Sequence, residues 1–387
     1  MKIYFAPCGL GLGHAGRCIE LAKRLKNCDV LFSTYSDAID FVRREGFRFT
    51  SSVPISYWNW PDGAADSWRT MRNLGGRRAG TLLKQIKHEI EQIAVFNPDI
   101  IISDTRLSTV IAGTITGKTT ITILNQIFVI GPGCSNHSFF RALSNLSSTF
   151  MATAWNLSEK IIVPDFPNPY SISKNNLRAS NSLKKKMEYV GPILPVKPEN
   201  LPERENIKRK LGFDSRPLIF IPVSGPKWER WWLGRKIIEL FSDFSNCYQV
   251  VISLGNGNNA ESNNKCENVT IYNWIPNRFE LLNACDLVIG RGGHTTITQT
   301  LAYGKPMILI PTQEQTEQIF NAKSASDIGV AKVLDQRFLT KKLITKTIKD
   351  ILNDHSYTAN AEKLMKLASK QDAISSIIKL IFSSADS

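Results

Sequence analysis

The stretch that decides the fold is Asp286-Leu-Val-Ile-Gly-Arg-Gly-Gly-His-Thr-Thr-Ile-Thr-Gln-Thr-Leu-Ala-Tyr-Gly-Lys-Pro-Met-Ile-Leu-Ile-Pro311. Its pattern predicts a strand over Leu287–Ile289, a tight turn over Gly290–Gly293, a helix over Thr295–Tyr303 and a strand over Pro306–Ile310. A helix that begins directly after a glycine turn directs unpaired N–H groups and the positive end of its dipole into the turn, which suits a phosphate. An isolated Gly-Gly pair is more often a turn without a ligand, so the residues that follow must decide.

Polar residues follow the second strand, where the carboxyl edge of a parallel sheet binds ligands: Glu314, Glu317, Gln318 and Asn321. The order Arg-x-Gly-x-x-Thr-x-x-Gln, Gly-x-Pro and Gln-x-x-Asn-Ala resembles the nucleotide-sugar signature of the GT-B glycosyltransferases, above all MurG and the UDP-glycosyltransferase superfamily. The resemblance implies an α/β fold with two Rossmann-like, doubly wound parallel-sheet domains that face a central cleft. It also implies a C-terminal helix that crosses back to the N-domain.

The length of 387 residues suits two domains. We expect an acceptor-binding domain over 1–190, a nucleotide-sugar-binding domain over 191–368 and a C-terminal helix over 369–387, because the Gly- and Pro-rich segment Tyr189–Pro198 breaks regular structure. Seven scattered cysteines without a Cys-x-x-Cys pair indicate neither a disulfide framework nor a zinc site, which favours the cytosol. No apolar run approaches the roughly 18 residues that cross a bilayer, so we expect a soluble or peripheral protein.

The net charge of +14 is concentrated in the first half, where 23 Lys and Arg stand against 14 Asp and Glu over residues 1–190. Nucleic acid, an anionic membrane surface or a polyphosphate substrate would each attract this charge, and a simple solvated surface is the alternative. Within this half, tryptophans are followed by cations with no acid between Trp68 and Lys87. This combination is typical of a lipid headgroup boundary, with these residues as the predicted contacts: Trp58, Trp60, Trp68, Arg69, Arg72, Arg77 and Arg78.

Two other interpretations of this segment stay open. The tryptophans could be core residues and the arginines a solvated face. A stacking surface for single-stranded nucleic acid is less favoured, because no RNA-binding motif accompanies the aromatic residues, and we expect no nucleic-acid partner.

The N-terminal strand Lys2–Ala6 runs into a glycine-rich loop that ends in Gly11-Leu-Gly-His14. Its spacing differs from the dinucleotide Gly-x-Gly-x-x-Gly, so a nicotinamide cofactor is not expected. A lone histidine is more often structural than catalytic, but one on a glycine loop at a sheet edge can face a substrate and take its proton.

Gly-x-Gly-His at this position resembles the N-terminal loop of the GT-B transferases. The resemblance implies that His14 deprotonates the acceptor hydroxyl or contacts the acceptor diphosphate. We expect Gly11, Gly13, Arg17 and Asn125 to bind the acceptor or its diphosphate. The longer string over residues 11–22, Gly-Leu-Gly-His-Ala-Gly-Arg-Cys-Ile-Glu-Leu-Ala, also resembles a nucleotide-sugar hydrolase of the same architecture. Water would then be the nucleophile, which is the alternative function.

A buried strand, Asn97–Asp104, ends in a carboxylate. The resemblance implies that Asp104 hydrogen-bonds His14 and stabilises its protonated form. A helix N-cap for the segment that follows is an equally good role for Asp104, and His137 is a reserve candidate for the base.

In the second half, the small-residue turn at Ser224 and Gly225 should face the donor diphosphate, and the resemblance implies base recognition at Trp274 and Ile275. The remaining expected nucleotide-sugar ligands come from the opening stretch and its continuation: Gly292, Gly293, His294, Thr295, Thr296, Gln299, Glu317, Gln318 and Asn321. The related enzymes usually carry Glu where Gln299 stands, and the amide offers the ribose diol a single acceptor oxygen.

These features predict an inverting, metal-independent glycosyltransferase without a cofactor. Its donor would be a UDP-sugar carrying GlcNAc or another hexose, and its acceptor a polyprenyl- or dolichyl-diphosphate sugar or a glycolipid. We expect the protein in the cytoplasm, at the inner face of the membrane. Besides the hydrolase, a non-catalytic nucleotide-sugar-binding subunit is an alternative, which Gln299 favours and a His14/Asp104 pair disfavours.

Overall fold

The computed structural model describes residues 1–55, 79–127, 149–255, 262–266, 268–275 and 277–385. Within this part of the chain there are two compact units. The first takes the described residues up to Ile193 and the segment that begins at Asp372, and the second is Leu194–Gln371. His137 and the predicted membrane contacts lie outside the described residues: Trp58, Trp60, Trp68, Arg69, Arg72, Arg77 and Arg78.

The first unit is built on a sheet of parallel strands. They are β1 Lys2–Pro7, β2 Asp29–Thr34, β3 Phe49–Ser51, β4 Ile100–Asp104, β5 Thr120–Ile123, β6 Lys160–Val163 and β7 Met187–Tyr189. Their order in the sheet is β3-β2-β1-β4-β5-β6-β7. The helices among them are α1 Gly13–Ala22, α2 Asp37–Arg44, α3 Ala79–Phe96, α4 Leu107–Ile115 and α5 Asn181–Lys186.

The second unit repeats this plan. Its strands are β8 Leu218–Pro222, β9 Gln249–Ser253, β10 Ser262–Cys266, β11 Val269–Tyr272, β12 Leu287–Gly290, β13 Met307–Leu309 and β14 Ala331–Val333. They are ordered β10-β11-β9-β8-β12-β13-β14, and β10 alone among these described strands runs antiparallel to its neighbour. The helices are α6 Arg204–Lys210, α7 Lys227–Phe241, α8 Arg278–Ala284, α9 His294–Ala302, α10 Thr316–Asp327, α11 Lys341–Asn353 and α12 His355–Ala368.

The last helix, α13 Ala373–Ala385, belongs to the first unit. Its residues Ile374, Ile377 and Ile381 are buried in the same core cluster as Ile3 and Phe5 of β1. The chain therefore leaves the first unit, builds the second and returns to complete the core of the first.

Continuous apolar strands explain both sheets, because a parallel sheet with helices on both faces buries every side chain of its central strands. The run Ile100–Ile102 of β4 is fully buried, and Leu287–Ile289 of β12 is buried in the same way. The order places β1 beside β4 and β8 beside β12, which are the positions where a doubly wound sheet changes direction and opens a crevice at its carboxyl edge. The expected Rossmann-like parallel sheets are thus confirmed.

Candidate active site

In the first unit, a glycine loop joins β1 to α1. A Cβ atom at Gly9 would lie 2.0 Å from the backbone oxygen of Tyr35, so no larger residue fits there. Gly11 has a φ of 71°, a conformation that favours glycine. The loop can therefore turn sharply at the sheet edge, and it places His14 in the first turn of α1.

His14 meets Asp104, the last residue of the neighbouring strand β4. His14 Nδ1 lies 2.7 Å from Asp104 Oδ1. The register pairs Pro7 with Asp104, so the loops after these two strands leave the sheet at the same edge. The alternative N-cap role is not what the structure shows, because α4 begins at Leu107 and has Arg106 at its N-cap position.

Arg17 completes this cluster from inside the protein. Its side chain is 2% exposed, and it donates from Nε to Asp104 Oδ2 and from Nη2 to Asp104 Oδ1, both at 2.5 Å. Nη2 also donates to Asn125 Oδ1 at 3.0 Å, and Asn125 is itself buried. We expected Arg17 and Asn125 among the acceptor ligands. Both side chains are buried, with Arg17 on the carboxylate and Asn125 on Arg17, and their role as ligands stays a prediction.

The charges in this cluster determine which nitrogen of His14 can accept a proton. Burial by itself raises the pKa of Asp104, but Arg17 and then His14 outweigh it and hold that pKa well below its usual range. The ionised carboxylate can only accept hydrogen bonds and the guanidinium can only donate. Because Nδ1 lies closer to Asp104 (2.7 Å) than to Arg17 Nη2 (3.0 Å), the favoured tautomer carries its hydrogen on Nδ1. Nε2 then keeps its lone pair and can act as a base.

In the second unit, the opening stretch forms the predicted strand, glycine turn and helix. A Cβ atom at Gly292 would lie 2.3 Å from the backbone oxygen of Gln318, so the start of α10 packs against the turn. Gly293 is the N-cap of α9, and a Cβ atom there would meet nothing within 4 Å. The first N–H groups of α9 have no partner within the helix, which makes its start a suitable site for a phosphate. Thr295 and Thr296 are half-buried there, whereas His294 is buried.

Gln299 lies one turn further along α9 and is buried. Arg278 Nη2 donates to Gln299 Oε1 at 3.0 Å. The single acceptor oxygen of this amide therefore already has a cationic partner in the protein.

Three expected sugar ligands lie on α10, and two of them are turned into the protein. Gln318 accepts a hydrogen bond from the Thr312 backbone N–H at 2.9 Å and donates to Glu229 Oε2 at 3.1 Å. Asn321 donates to the backbone oxygen of Gly292 at 3.0 Å. Asn321 thus holds the glycine turn, and Gln318 holds the loop before α10. Glu317 is half-buried at the first turn of α10.

The remaining expected donor residues follow β8 and β11. Gly225 has a φ of 116°, and its backbone oxygen accepts a hydrogen bond from Arg230 Nη1 at 2.9 Å. Ser224 is half-buried beside it, and Trp274 and Ile275 are half-buried just beyond the end of β11. Each of these residues lies at the carboxyl edge of the sheet, where a nucleotide binds in this type of fold.

Sequence reasoning missed two buried charges that hold the second site together. Glu229 Oε2 accepts from Thr312 Oγ1 at 2.8 Å and from Gln318, so it joins α7 to the loop before α10. Arg291 donates from Nη1 to the Ile310 backbone oxygen at 3.3 Å and to Gln336 Oε1 at 2.8 Å. Burial lowers the pKa of Arg291 to about 10, so it stays charged at neutral pH, and the negative charge of Glu229 acts in the opposite direction.

No three His, Cys, Asp or Glu side chains in the described part of the chain come together in a way that could hold a metal ion. Among the described helices, none combines the length and apolar character needed to span a membrane.

Residues 229–377 match the glycosyltransferase family 28 C-terminal domain. A protein of Methanosarcina mazei, named an uncharacterized glycosyltransferase, is 27% identical over 391 residues, which is 98% of each chain. The UDP-N-acetylglucosamine--N-acetylmuramyl-(pentapeptide) pyrophosphoryl-undecaprenol N-acetylglucosamine transferase of Clostridium kluyveri is 26% identical over 193 residues, covering 48% of this chain and 53% of the relative.

Solved structures share the architecture over the whole chain. Acinetobacter baumannii MurG aligns with a TM-score of 0.60 and 15% identity over 99% of both chains. The spinosyn rhamnosyltransferase SpnG complexed with thymidine diphosphate aligns with a TM-score of 0.69 and 14% identity over 98% of this chain and 100% of SpnG. The two units each carry a Rossmann-like sheet, and residues 229–377 of the second half match the glycosyltransferase family 28 C-terminal domain. The chain is therefore a MurG-like glycosyltransferase of the GT-B fold.

Proposed function

We propose that this glycosyltransferase moves GlcNAc or another hexose from a UDP-sugar to a hydroxyl group of a lipid-linked acceptor, with inversion and without a metal ion. The observation that carries the proposal is the cluster of His14, Asp104 and Arg17, because it leaves one imidazole nitrogen able to take a proton. A buried ion pair alone would be structural, but this one fixes a histidine at the end of a glycine loop.

In the proposed reaction, His14 Nε2 takes the proton of the acceptor hydroxyl while the acceptor oxygen bonds to the anomeric carbon. The bond from that carbon to the donor diphosphate breaks, and its electron pair leaves with the diphosphate. Asp104 stabilises the imidazolium that forms, since it already lies 2.7 Å from Nδ1. A single displacement of this kind inverts the anomeric centre.

The donor is proposed to bind to the second unit. The N–H groups from Gly293 to Thr296 at the start of α9 would stabilise the charge on the leaving diphosphate, as preorganised donors do in other transferases. Ser224 and Gly225 would contact the same diphosphate, and Trp274 and Ile275 the base. The name of the Clostridium relative includes UDP-N-acetylglucosamine, which supports that donor, and SpnG with thymidine diphosphate shows that the fold also accepts a related nucleotide.

The acceptor is proposed to be a sugar joined through a diphosphate to a polyprenyl or dolichyl chain, with a glycolipid precursor as the next candidate. The Clostridium relative is named for a pyrophosphoryl-undecaprenol acceptor, which supports a lipid diphosphate. The positive charge of residues 1–190 suits both this acceptor and an anionic membrane. We therefore propose a peripheral location at the cytoplasmic face, with the segment from Trp58 to Arg78 as a contact.

The test is turnover of UDP-GlcNAc with and without a polyprenyl-diphosphate sugar, measured as release of UDP. We expect release that requires the lipid acceptor. Replacement of His14 by Ala should lower kcat by about 10²- to 10⁴-fold, the usual contribution of a general base. Affinity for UDP should be unchanged, because His14 and the proposed donor residues lie in different units.

His355→Ala is the matched control, because His355 is an exposed histidine at the start of α12 and carries no proposed role. This control should turn over like the wild type. Wild-type turnover by a well-folded His14→Ala protein would remove His14 as the base. Release of UDP at the same rate without any acceptor would instead make water the nucleophile.

A further inference from the structure

We propose that α7 of the second unit docks the protein on an anionic lipid bilayer through a surface strip of Trp228, Trp231 and Arg235. The choice of a lipid partner rests on the proposed function, but the strip itself is defined by its own contacts. It is separate from the segment between Trp58 and Arg78, which lies in the first half of the sequence.

The three strip residues share one face of α7, because they are spaced by three and four residues. Trp228 is 39% exposed and Trp231 is 47% exposed, although both rings are large and apolar. The opposite face of the helix is buried in the core through Leu233 and Ile237. The strip is thus the outer face of a helix whose inner face is already packed.

The two rings and the arginine of the strip form one continuous surface. Trp228 stacks on Trp231 with ring centroids 5.6 Å apart and an interplanar angle of 21°. The Arg235 guanidinium lies 4.9 Å from the centroid of the Trp231 ring. Trp231 thus contacts both a second ring and a guanidinium, and it is still 47% exposed. Exposed indoles next to a cation suit the headgroup region of a bilayer, where an amphipathic ring contacts both apolar and hydrated groups.

The charges on the helix favour an anionic partner. Lys227 and Arg235 are exposed at either end of the tryptophan pair, and Glu229 is buried on the inner side. The next acid on the helix, Glu239, lies beyond the strip and is paired with Lys236 at 2.9 Å. Exposed tryptophans flanked by cations match a bilayer surface, where the rings enter the headgroup layer and the cations meet phosphates.

The strip also lies close to the proposed donor residues of its own unit, because α7 begins two positions after Gly225. A protein docked through this helix would hold its donor turn near the bilayer surface. That position suits an acceptor whose lipid chain is anchored in the same bilayer.

The experiment is flotation of the full-length protein with vesicles, in the absence of any nucleotide-sugar. We expect binding to vesicles containing about 30 mol % phosphatidylglycerol, weaker binding to pure phosphatidylcholine, and weaker binding at high salt. The double variant Trp228→Ala/Trp231→Ala should bind at least about tenfold more weakly. Arg235→Gln, which keeps both rings, should weaken binding about fivefold.

Phe338→Ala is the matched control, because Phe338 is 65% exposed in the same unit and also has an arginine, Arg337, over its ring. It should float like the wild type. Wild-type flotation by the double variant, or no flotation by the wild-type protein, would overturn the proposal. If the wild-type protein self-associates and the double variant does not, the strip binds a second copy of the chain. That result would also overturn the docking proposal. Because the flotation assay contains no donor, a negative result leaves the transferase proposal intact. A negative result in the UDP-release assay likewise leaves the docking result intact.

Discussion

Replacement of Arg17 by Met tests whether the guanidinium neutralises Asp104. Arg17 is almost fully buried, and the substitution removes both of its hydrogen bonds to a carboxylate that has no solvent contact. His14 and the Thr105 hydroxyl, 3.2 Å from Oδ1, would remain as partners. Removing one partner of a buried ion pair costs about 3–5 kcal/mol of unfolding free energy, and we expect a loss of that size at pH 7.

The pH dependence of this loss identifies its cause. In the wild type the pKa of Asp104 is lowered on folding, so its contribution to stability is present at neutral pH and is lost as the pH falls below about 3.9. Without Arg17, burial loses the largest of the interactions that oppose it, and the pKa of Asp104 rises. The folded variant then takes up a proton before the unfolded chain does, so the stability difference between the two proteins should shrink from pH 7 toward pH 4.

The assay is urea unfolding of wild type and variant at several pH values, with the midpoint and slope fitted at each. A destabilisation of equal size at pH 7 and pH 4 would show that Arg17 acts by packing and not by its charge. Arg106→Met is the matched control, because Arg106 forms a similar buried pair with Glu89 in the same unit. Both variants should lose stability, but only Arg17→Met should also lower kcat, by about tenfold to a hundredfold, through misplacement of His14.

Three further outcomes follow from the second unit. Gly292→Ala should lower the unfolding free energy by about 1–3 kcal/mol through its clash with the Gln318 backbone oxygen. Gly293→Ala should unfold like the wild type in the same thermal melts. Equal destabilisation by the two substitutions would contradict the packing argument. Gln299→Glu should strengthen UDP binding about fivefold in calorimetry, because a carboxylate can pair with Arg278 and still offer an oxygen to the ribose. An unchanged Kd for UDP would mean that the ribose does not contact this residue. Turnover should survive EDTA if the N–H groups of α9 carry the diphosphate charge; activity that EDTA abolishes and Mg²⁺ restores would end the metal-independent mechanism.

The fold followed from local sequence signals. Each glycine turn comes after an apolar strand and before a helix. The strands are apolar at consecutive positions, whereas a sheet with one solvent-exposed face would alternate apolar and polar residues. The proximity of His14 and Asp104 followed from two strands whose carboxyl ends share one edge, together with the resemblance to GT-B enzymes.

The orientation of individual side chains could not be predicted from local sequence in the same way. His14 and Arg17 are three residues apart and so share one side of α1, which is a signal that they meet. The spacing alone could not say whether that side faces solvent or the protein, and only the position of β4 settles it. Gln318 and Asn321 are similar, because Gln318 donates to Glu229 and Asn321 donates to the Gly292 backbone oxygen, and both partners lie far away in the sequence.

The segment that returns to the first unit also affects how the protein is made. Because α13 supplies Ile374, Ile377 and Ile381 to the core around Ile3 and Phe5, the first unit lacks part of its interior until the ribosome has synthesised all of the second. Among the described residues, the second unit comes from one stretch of sequence, Leu194–Gln371, and can fold while translation proceeds. Until α13 is made, the first unit exposes part of its apolar core, and we therefore expect it to bind chaperones during synthesis.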